Sequence, residues 1–120
     1  MTKPKQATGQ RGEHLARTYL QERAYTIVET NWHCPEGEID IVARKEGVWV
    51  FVEVRTRHAN ITAPALESIG GRKQQRMALT AQRYLAEHHL DVDWRVDVVA
   101  VALPASGMPV IEHYEDALGW

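Results

Sequence analysis

Two short apolar stretches of this sequence carry acidic residues where a β-strand usually carries valine or isoleucine. Asp40 lies in the first stretch, residues 37–43, and Glu53 lies in the second, residues 50–57. An ionised carboxylate is strongly disfavoured away from water unless a cation or hydrogen-bond donors compensate it. Two such groups on neighbouring strands therefore call for a shared cation, and a metal ion is the simplest one.

The length of the turn between the two strands decides whether Asp40 and Glu53 meet. Successive side chains of a strand point to opposite faces of the sheet, so a shift of one residue in the pairing changes the face. A two-residue loop (residues 46–47) or a four-residue loop (residues 45–48) pairs Asp40 with Glu53, whereas a three-residue loop separates them. We favour an even loop, because it also gathers apolar side chains on the opposite face, where a helix can cover them: Ile39, Ile41, Val50, Val52 and Val54.

Directly opposed carboxylates of this kind could hold a hard divalent ion. In an antiparallel pair the two Cβ atoms lie about 4.5–5.5 Å apart. Carboxylate oxygens suit Mg²⁺ or Mn²⁺, since these ions keep several waters and combine one or two carboxylates with phosphate oxygens of a substrate. The alternative is that Asp40 and Glu53 are solvated on an exposed face, or form ion pairs with Arg55, Arg57 and Lys73.

The bulk composition is that of an ordinary globular domain. The chain has 120 residues, of which 44% are apolar and 25% charged, so it can bury a genuine core. We predict a flexible tail at residues 1–8 and a single domain at residues 9–120. The single cysteine, Cys34, cannot form an internal disulfide, and no apolar run of about 18 residues or signal-like leader opens the sequence. These features predict a cytoplasmic protein with no membrane partner.

The charge is unevenly distributed, although its net value is only −2. Residues 55–83 hold six basic side chains against one acid, Glu67, which gives this segment +5 and the rest of the chain −7. Such a stripe would attract a phosphate polymer, while the acidic remainder limits nonspecific affinity. The alternative is an ordinary solvated helix face. The six basic residues are Arg55, Arg57, Arg72, Lys73, Arg76 and Arg83.

The pattern of apolar residues predicts an α/β domain with the element order α-β-β-β-α-β-β. Gly12 lies on the apolar face of the first helix, where a missing side chain lets the helix approach the sheet, and Glu13 borders that face. Asp97 lies in an almost continuous apolar strand and is expected to pair with a neighbouring arginine. A strand, helix, strand order in the second half implies a parallel crossover. The predicted helices span residues 8–24 and 71–88, and the predicted strands span residues 25–32, 37–43, 50–57, 94–103 and 110–114.

Two motifs, Gly37-Glu38-Ile39-Asp40 and Phe51-Val52-Glu53-Val54-Arg55, carry a resemblance to a known family. With weaker matches elsewhere, from about Gly9 to Leu118, the chain resembles the bacterial YraN-type family of uncharacterised proteins. That family looks like a small member of the PD-(D/E)XK, or restriction-endonuclease-like, superfamily. It is similar in layout to archaeal Holliday-junction resolvases and to tRNA-splicing-endonuclease-like domains. The resemblance implies a mixed central sheet flanked by helices.

The resemblance also implies roles for individual residues. Position by position, it makes Asp40, Glu53 and Glu13 the metal-binding acids, with the backbone carbonyl of Val54 as a fourth ligand of Mg²⁺ or Mn²⁺. The lysine usual two residues after the glutamate is replaced here by Arg55. An arginine stays protonated, so it can stabilise charge but cannot act as a base. The missing amine could come from a lysine on the second helix, Lys73, for which phosphate binding is the alternative role.

These observations favour a nucleic-acid-binding protein, and in particular a Mg²⁺-dependent endonuclease that acts on DNA rather than RNA. One alternative is a noncatalytic nucleic-acid-binding or adaptor module that keeps the nuclease fold, and another is a subunit that is active only as a homodimer. The expected catalytic residues are Asp40, Glu53, Arg55 and Lys73, and the residues expected to bind the nucleic acid are Arg57, Arg72, Arg76 and Arg83.

Overall fold

A computed structural model describes residues 4–61 and 70–118. The elements follow one another in the order predicted from the sequence, α-β-β-β-α-β-β. Neither of its two helices combines the length and apolar character needed to cross a bilayer, within the part of the chain that is described. The elements are α1 (Pro4–Glu22), β1 (Thr26–Cys34), β2 (Gly37–Lys45), β3 (Val48–Arg57), α2 (Gly71–Glu87), β4 (Trp94–Ala102) and β5 (Val110–Tyr114).

The five strands form one mixed sheet in the order β1-β2-β3-β4-β5. Three of the four neighbouring pairs are antiparallel, and the pair β3 and β4 is parallel. Parallel strands need a crossover between them, and α2 lies in that connection. A mixed central sheet with helices in this order is a restriction-endonuclease-like fold, which confirms the prediction.

The turn between β2 and β3 confirms the predicted even loop. Lys45 pairs with Val48, so only Glu46 and Gly47 form the turn. Both turn residues have a positive φ, 53° and 82°, as a two-residue hairpin turn of this type requires. The described β2–β3 pairing ends at Ile41 and Val52. Extended by one residue, the same register sets Asp40 opposite Glu53.

The two faces of the sheet are covered by different helices. On the α1 side, Ala16 and Leu20 pack on Ile41, Val50 and Val52, as the alternation of the strands predicts. On the α2 side, a second cluster contains Ala81, Tyr84, Leu85, Val42, Phe51, Val96 and Ile39.

Ile39 is the exception to the predicted faces, since it packs under α2 and not with Ile41. Its partner in β1 is Trp32, which also packs on the α2 side. In β1, the residue before Trp32 is Asn31, which has a left-handed backbone with a φ of 55°. This conformation interrupts the alternation of side chains along β1. The strict alternation assumed from the sequence is therefore wrong at this point, one residue before Asp40.

The first described residue, Pro4, is already helical, although the sequence suggests a helix only from residue 8. Residues 4–8, predicted as part of a flexible tail, are helical, and residues 1–3 lie outside the described residues. The extension brings Thr8 and Gly9 into the helix beside the end of β3.

Asp97 is fully buried in β4 and forms the predicted pair with an arginine. Arg95 Nε donates to Asp97 Oδ1 over 3.0 Å, and His113 Nε2 lies 2.7 Å from Asp97 Oδ2. The backbone N–H of Asp116 also donates to Oδ1, over 3.0 Å. Burial raises the pKa of Asp97, but these donors outweigh it and the pKa is lowered overall. The network ties β4 to β5 and to the turn that follows β5.

Gly12 sets the distance between α1 and β3. It is buried, and a Cβ added to it would lie 1.8 Å from Thr56 Oγ1 and 2.8 Å from Thr56 Cβ. A rotation of the threonine side chain can move Oγ1 but cannot move Cβ. The helix can approach β3 this closely only because position 12 has no side chain, as the sequence predicts. The neighbouring Glu13 is thereby held near the ends of β2 and β3.

Gly12 and Gly9 provide a matched pair of substitutions on the same helix. Gly12→Ala should lower the free energy of unfolding by about 1–3 kcal/mol, because the added methyl group overpacks the contact with Thr56. At Gly9 an added Cβ meets no atom within 4 Å, so Gly9→Ala should raise it by about 0.5–1 kcal/mol through helix preference alone. Urea unfolding followed by circular dichroism measures both values. Stabilisation by both substitutions would contradict the close approach of α1 to β3.

Candidate active site

Asp40 lies where β2 and β3 stop pairing with each other. Its carboxylate accepts a hydrogen bond from the backbone N–H of Val54, with 2.7 Å between N and Oδ2. The Asp40 side chain thus accepts a hydrogen bond from the β3 backbone that the backbone of a neighbouring strand would otherwise accept. Val54 also lines the cavity beside Asp40. The carboxylate is held by the main chain, which fixes its position without neutralising its charge.

Three carboxylates come together at this point. Glu13, Glu38 and Asp40 each offer one oxygen, and these oxygens all lie within 4.8 Å of one another. Glu13 comes from α1, and the other two come from β2. Glu38 is the residue whose part in this group the sequence reasoning missed. Its spacing of two residues from Asp40, within the specific Gly-Glu-Ile-Asp motif, was the available signal.

Glu53 lies beside this group but is paired with cations. Lys73 Nζ is 2.9 Å from Glu53 Oε1, and a guanidinium nitrogen of Arg55 is 4.0 Å from the same oxygen. The Glu53 side chain is 17% exposed and that of Lys73 is 40% exposed. The alternative considered from the sequence, an ion pair with Arg55 and Lys73, therefore describes Glu53, whereas Asp40 has a backbone N–H as its partner.

Burial and mutual repulsion raise the pKa values of two of these acids, Asp40 and Glu13. Burial raises the pKa of Asp40 to about 7, and the nearby charge of Glu53 adds to the effect. Burial also raises the pKa of Glu13, against the lowering effect of a hydrogen bond with the Asn31 side chain. A cation at this place would reverse both shifts, because it favours the ionised form of a carboxyl group. The donor set, three carboxylate oxygens, fits a hard divalent ion.

Two cavities meet at Asp40, which lines both of them. The α1-side cavity has a volume of about 530 Å³, and its lining includes Glu13, Arg57 and His58. The α2-side cavity has a volume of about 210 Å³, and its lining includes Glu38, Glu53, Lys73 and Arg76. Each cavity is therefore lined by both acidic and basic side chains.

The basic stripe predicted from the sequence divides in the structure. Arg57 and Arg76 are exposed and line the two cavities, and Arg72 is exposed near the start of α2. Arg83 instead donates to Glu36 Oε1 and to Glu87 Oε1, over 2.8 Å in each case. Its guanidinium is thus already engaged by two carboxylates, so the basic surface near Asp40 is shorter than the sequence pattern suggests.

Relatives of this chain extend over nearly its whole length. A protein of Chloroflexus aurantiacus is 43% identical over 99% of this chain and 98% of its own length. A protein of Roseiflexus castenholzii is 42% identical over 94% of each chain, and one of Shewanella oneidensis is 43% identical over 78% of this chain and 86% of its own. All three are named UPF0102 protein. The model of the uncharacterised protein family UPF0102 matches residues 12–101, and the chain belongs to this family, in agreement with its resemblance to the YraN type.

Proposed function

We propose that this protein is a Mg²⁺- or Mn²⁺-dependent endonuclease that hydrolyses phosphodiester bonds in DNA. The observation that carries the proposal is the gathering of Glu13, Glu38 and Asp40 within 4.8 Å, with a lysine on the adjacent carboxylate. Acids that share a small space and cations that border it are what hydrolysis of a charged phosphodiester requires.

The metal ligands proposed here are the carboxylates of Asp40, Glu13 and Glu38. Glu53 and the backbone carbonyl of Val54 remain predicted ligands, and Glu53 becomes available when Lys73 turns towards a substrate phosphate. A bound ion would supply a water of lowered pKa and offset the charge that develops on the phosphate. The hydrogen bond from the Val54 N–H keeps the Asp40 carboxylate in place before and after the ion binds.

Lys73 is the proposed source of the amine that position 55 lacks. Its Nζ lies 2.9 Å from Glu53 Oε1, so α2 delivers the ammonium group to the same carboxylate that borders Asp40. From there Lys73 can bind a phosphate oxygen as the ammonium or, after it has given up its proton, accept one from the attacking water as the neutral amine. Arg55 stays protonated and stabilises negative charge, and Arg57 and Arg76 bind flanking phosphates.

A binding and cleavage measurement tests the proposal. Calorimetric titration with Mn²⁺ should give saturable binding to the apoprotein, and cleavage of labelled DNA should depend on Mg²⁺ or Mn²⁺ and stop with a chelator. The substrates are single-stranded, duplex, flap and junction DNA, beside the corresponding RNAs. Binding of nucleic acid without metal binding or cleavage would overturn the endonuclease and leave the noncatalytic module. The oligomeric state, measured by light scattering with and without DNA, tests the homodimer.

A further inference from the structure

We propose that the DNA strand at this site is unpaired, and that it crosses between α1 and α2 with its scissile phosphate at Asp40. This inference rests on the proposed endonuclease function and adds the class of substrate. It follows from the shape of the two cavities, from the way one of them is walled, and from the small number of cations around them.

The α1-side cavity has the size of a single-ligand pocket, and the α2-side cavity is smaller. Their volumes are about 530 Å³ and about 210 Å³, and both adjoin Asp40. Pockets that enclose one small ligand have volumes of roughly 300–1,000 Å³. One nucleotide can therefore enter the α1-side cavity while the next phosphate reaches the α2-side cavity. A base that is still paired with a second strand cannot follow this path.

Two segments that line the α1-side cavity are hydrogen-bonded to each other. Thr8 belongs to α1 and His58 directly follows β3, and both line the cavity. Thr8 Oγ1 and His58 Nε2 form a hydrogen bond of 2.9 Å. The imidazole ring of His58 is exposed and offers a flat face on which an unpaired base can stack.

Few cations line the cavities. Among the described lining residues they are Arg57 on the α1 side and Lys73 and Arg76 on the α2 side. The sequence between His58 and Arg72 adds no lysine or arginine. A protein that makes about six to ten phosphate contacts on a duplex loses about 10³–10⁵ in affinity between about 50 and 200 mM salt. The three lining cations here match about three phosphates of a short single strand.

Gly9 allows the α1-side cavity to be filled without disturbing the fold. It lines the cavity, and an added Cβ meets no atom within 4 Å. Gly9→Leu should therefore place an isobutyl group in the space proposed for a nucleotide. Gln10→Leu is the matched control, since it adds the same side chain to an exposed neighbouring position on α1.

The experiment measures binding of fluorescein-labelled DNA by anisotropy, in Ca²⁺. The probes are a single strand of about 12 nucleotides, a blunt duplex of the same length, and a duplex with an unpaired flap. We expect the single strand and the flap to bind at least about tenfold more tightly than the duplex, with a salt slope of about −2 to −3. Gly9→Leu should lose at least about tenfold of this affinity, and Gln10→Leu should keep it.

Each outcome separates this inference from the proposed function. Equal or tighter binding of the duplex, no binding of any probe, or full affinity of Gly9→Leu for the single strand would overturn the inference. Metal-dependent cleavage of the duplex alone would overturn it while the endonuclease stands. Conversely, selective binding of the single strand that is lost in Gly9→Leu, without any cleavage, would support the inference while the endonuclease falls.

Discussion

Asp40→Asn should lower metal-dependent DNA cleavage by at least about 100-fold while the protein remains folded. The asparagine side chain keeps an oxygen that can accept the hydrogen bond from the Val54 N–H, so the local backbone has no reason to move. The substitution removes the negative charge that the proposed metal site shares among Glu13, Glu38 and Asp40. The measurement is the rate of cleavage of a labelled substrate in saturating Mn²⁺, together with calorimetric titration of the ion.

Asp91→Asn is the matched control for this variant. Asp91 is exposed and lies beyond the end of α2, so the same chemical change there leaves the cluster of carboxylates around Asp40 unchanged. The control should cleave at the rate of the parent. If Asp40→Asn cleaves as fast as Asp91→Asn, the assignment of Asp40 to the metal is wrong.

The same substitution should make the metal-free protein more stable, and more so as the pH rises. The pKa of Asp40 is raised to about 7 in the folded protein, and in the unfolded chain it should lie near 4. Between these values the folded state binds more protons than the unfolded state, so stability falls as the pH increases, and the loss is complete above about pH 7. Asparagine carries no such proton. Asp40→Asn should therefore gain about 2–4 kcal/mol over the parent at pH 8 and little at pH 4.

Urea unfolding in the presence of a chelator, at several pH values, measures this difference. Addition of Mn²⁺ at pH 8 should then stabilise the parent and leave Asp40→Asn nearly unchanged, because only a protein that binds the ion gains from it. A constant difference between the two proteins from pH 4 to pH 8 would show that the pKa of Asp40 is not raised.

Both expectations describe Asp40 as an acid that lowers the stability of the metal-free protein and is needed for activity. Burial and the charge of Glu53 disfavour the ionised form of Asp40, yet a divalent ion would need that form as its ligand. Opposite effects of one substitution on stability and on activity are typical of functional residues.

The sequence by itself predicted the order of the elements and the register of the acidic hairpin. These features depend on local rules: the alternation of apolar residues in β2 and β3, and a turn whose Glu46 and Gly47 suit a two-residue loop. The need for a glycine at position 12 and an arginine partner for Asp97 could also be inferred, because each concerns a single residue whose burial the pattern indicates.

The sequence could not determine which carboxylates meet. Pairing across the hairpin predicted Asp40 beside Glu53, in agreement with the observed register, and the tertiary structure adds Glu38 and Glu13 beside Asp40 and Lys73 beside Glu53. Ile39 packs on the α2 side and not on the predicted face, the close approach of α1 brings in Glu13, and the position of α2 brings in Lys73. The alternation of side chains along a strand is set by local sterics, so it can be inferred from the sequence. Distances between side chains of separate elements depend on how the helices pack on the sheet, and only the folded structure decides them.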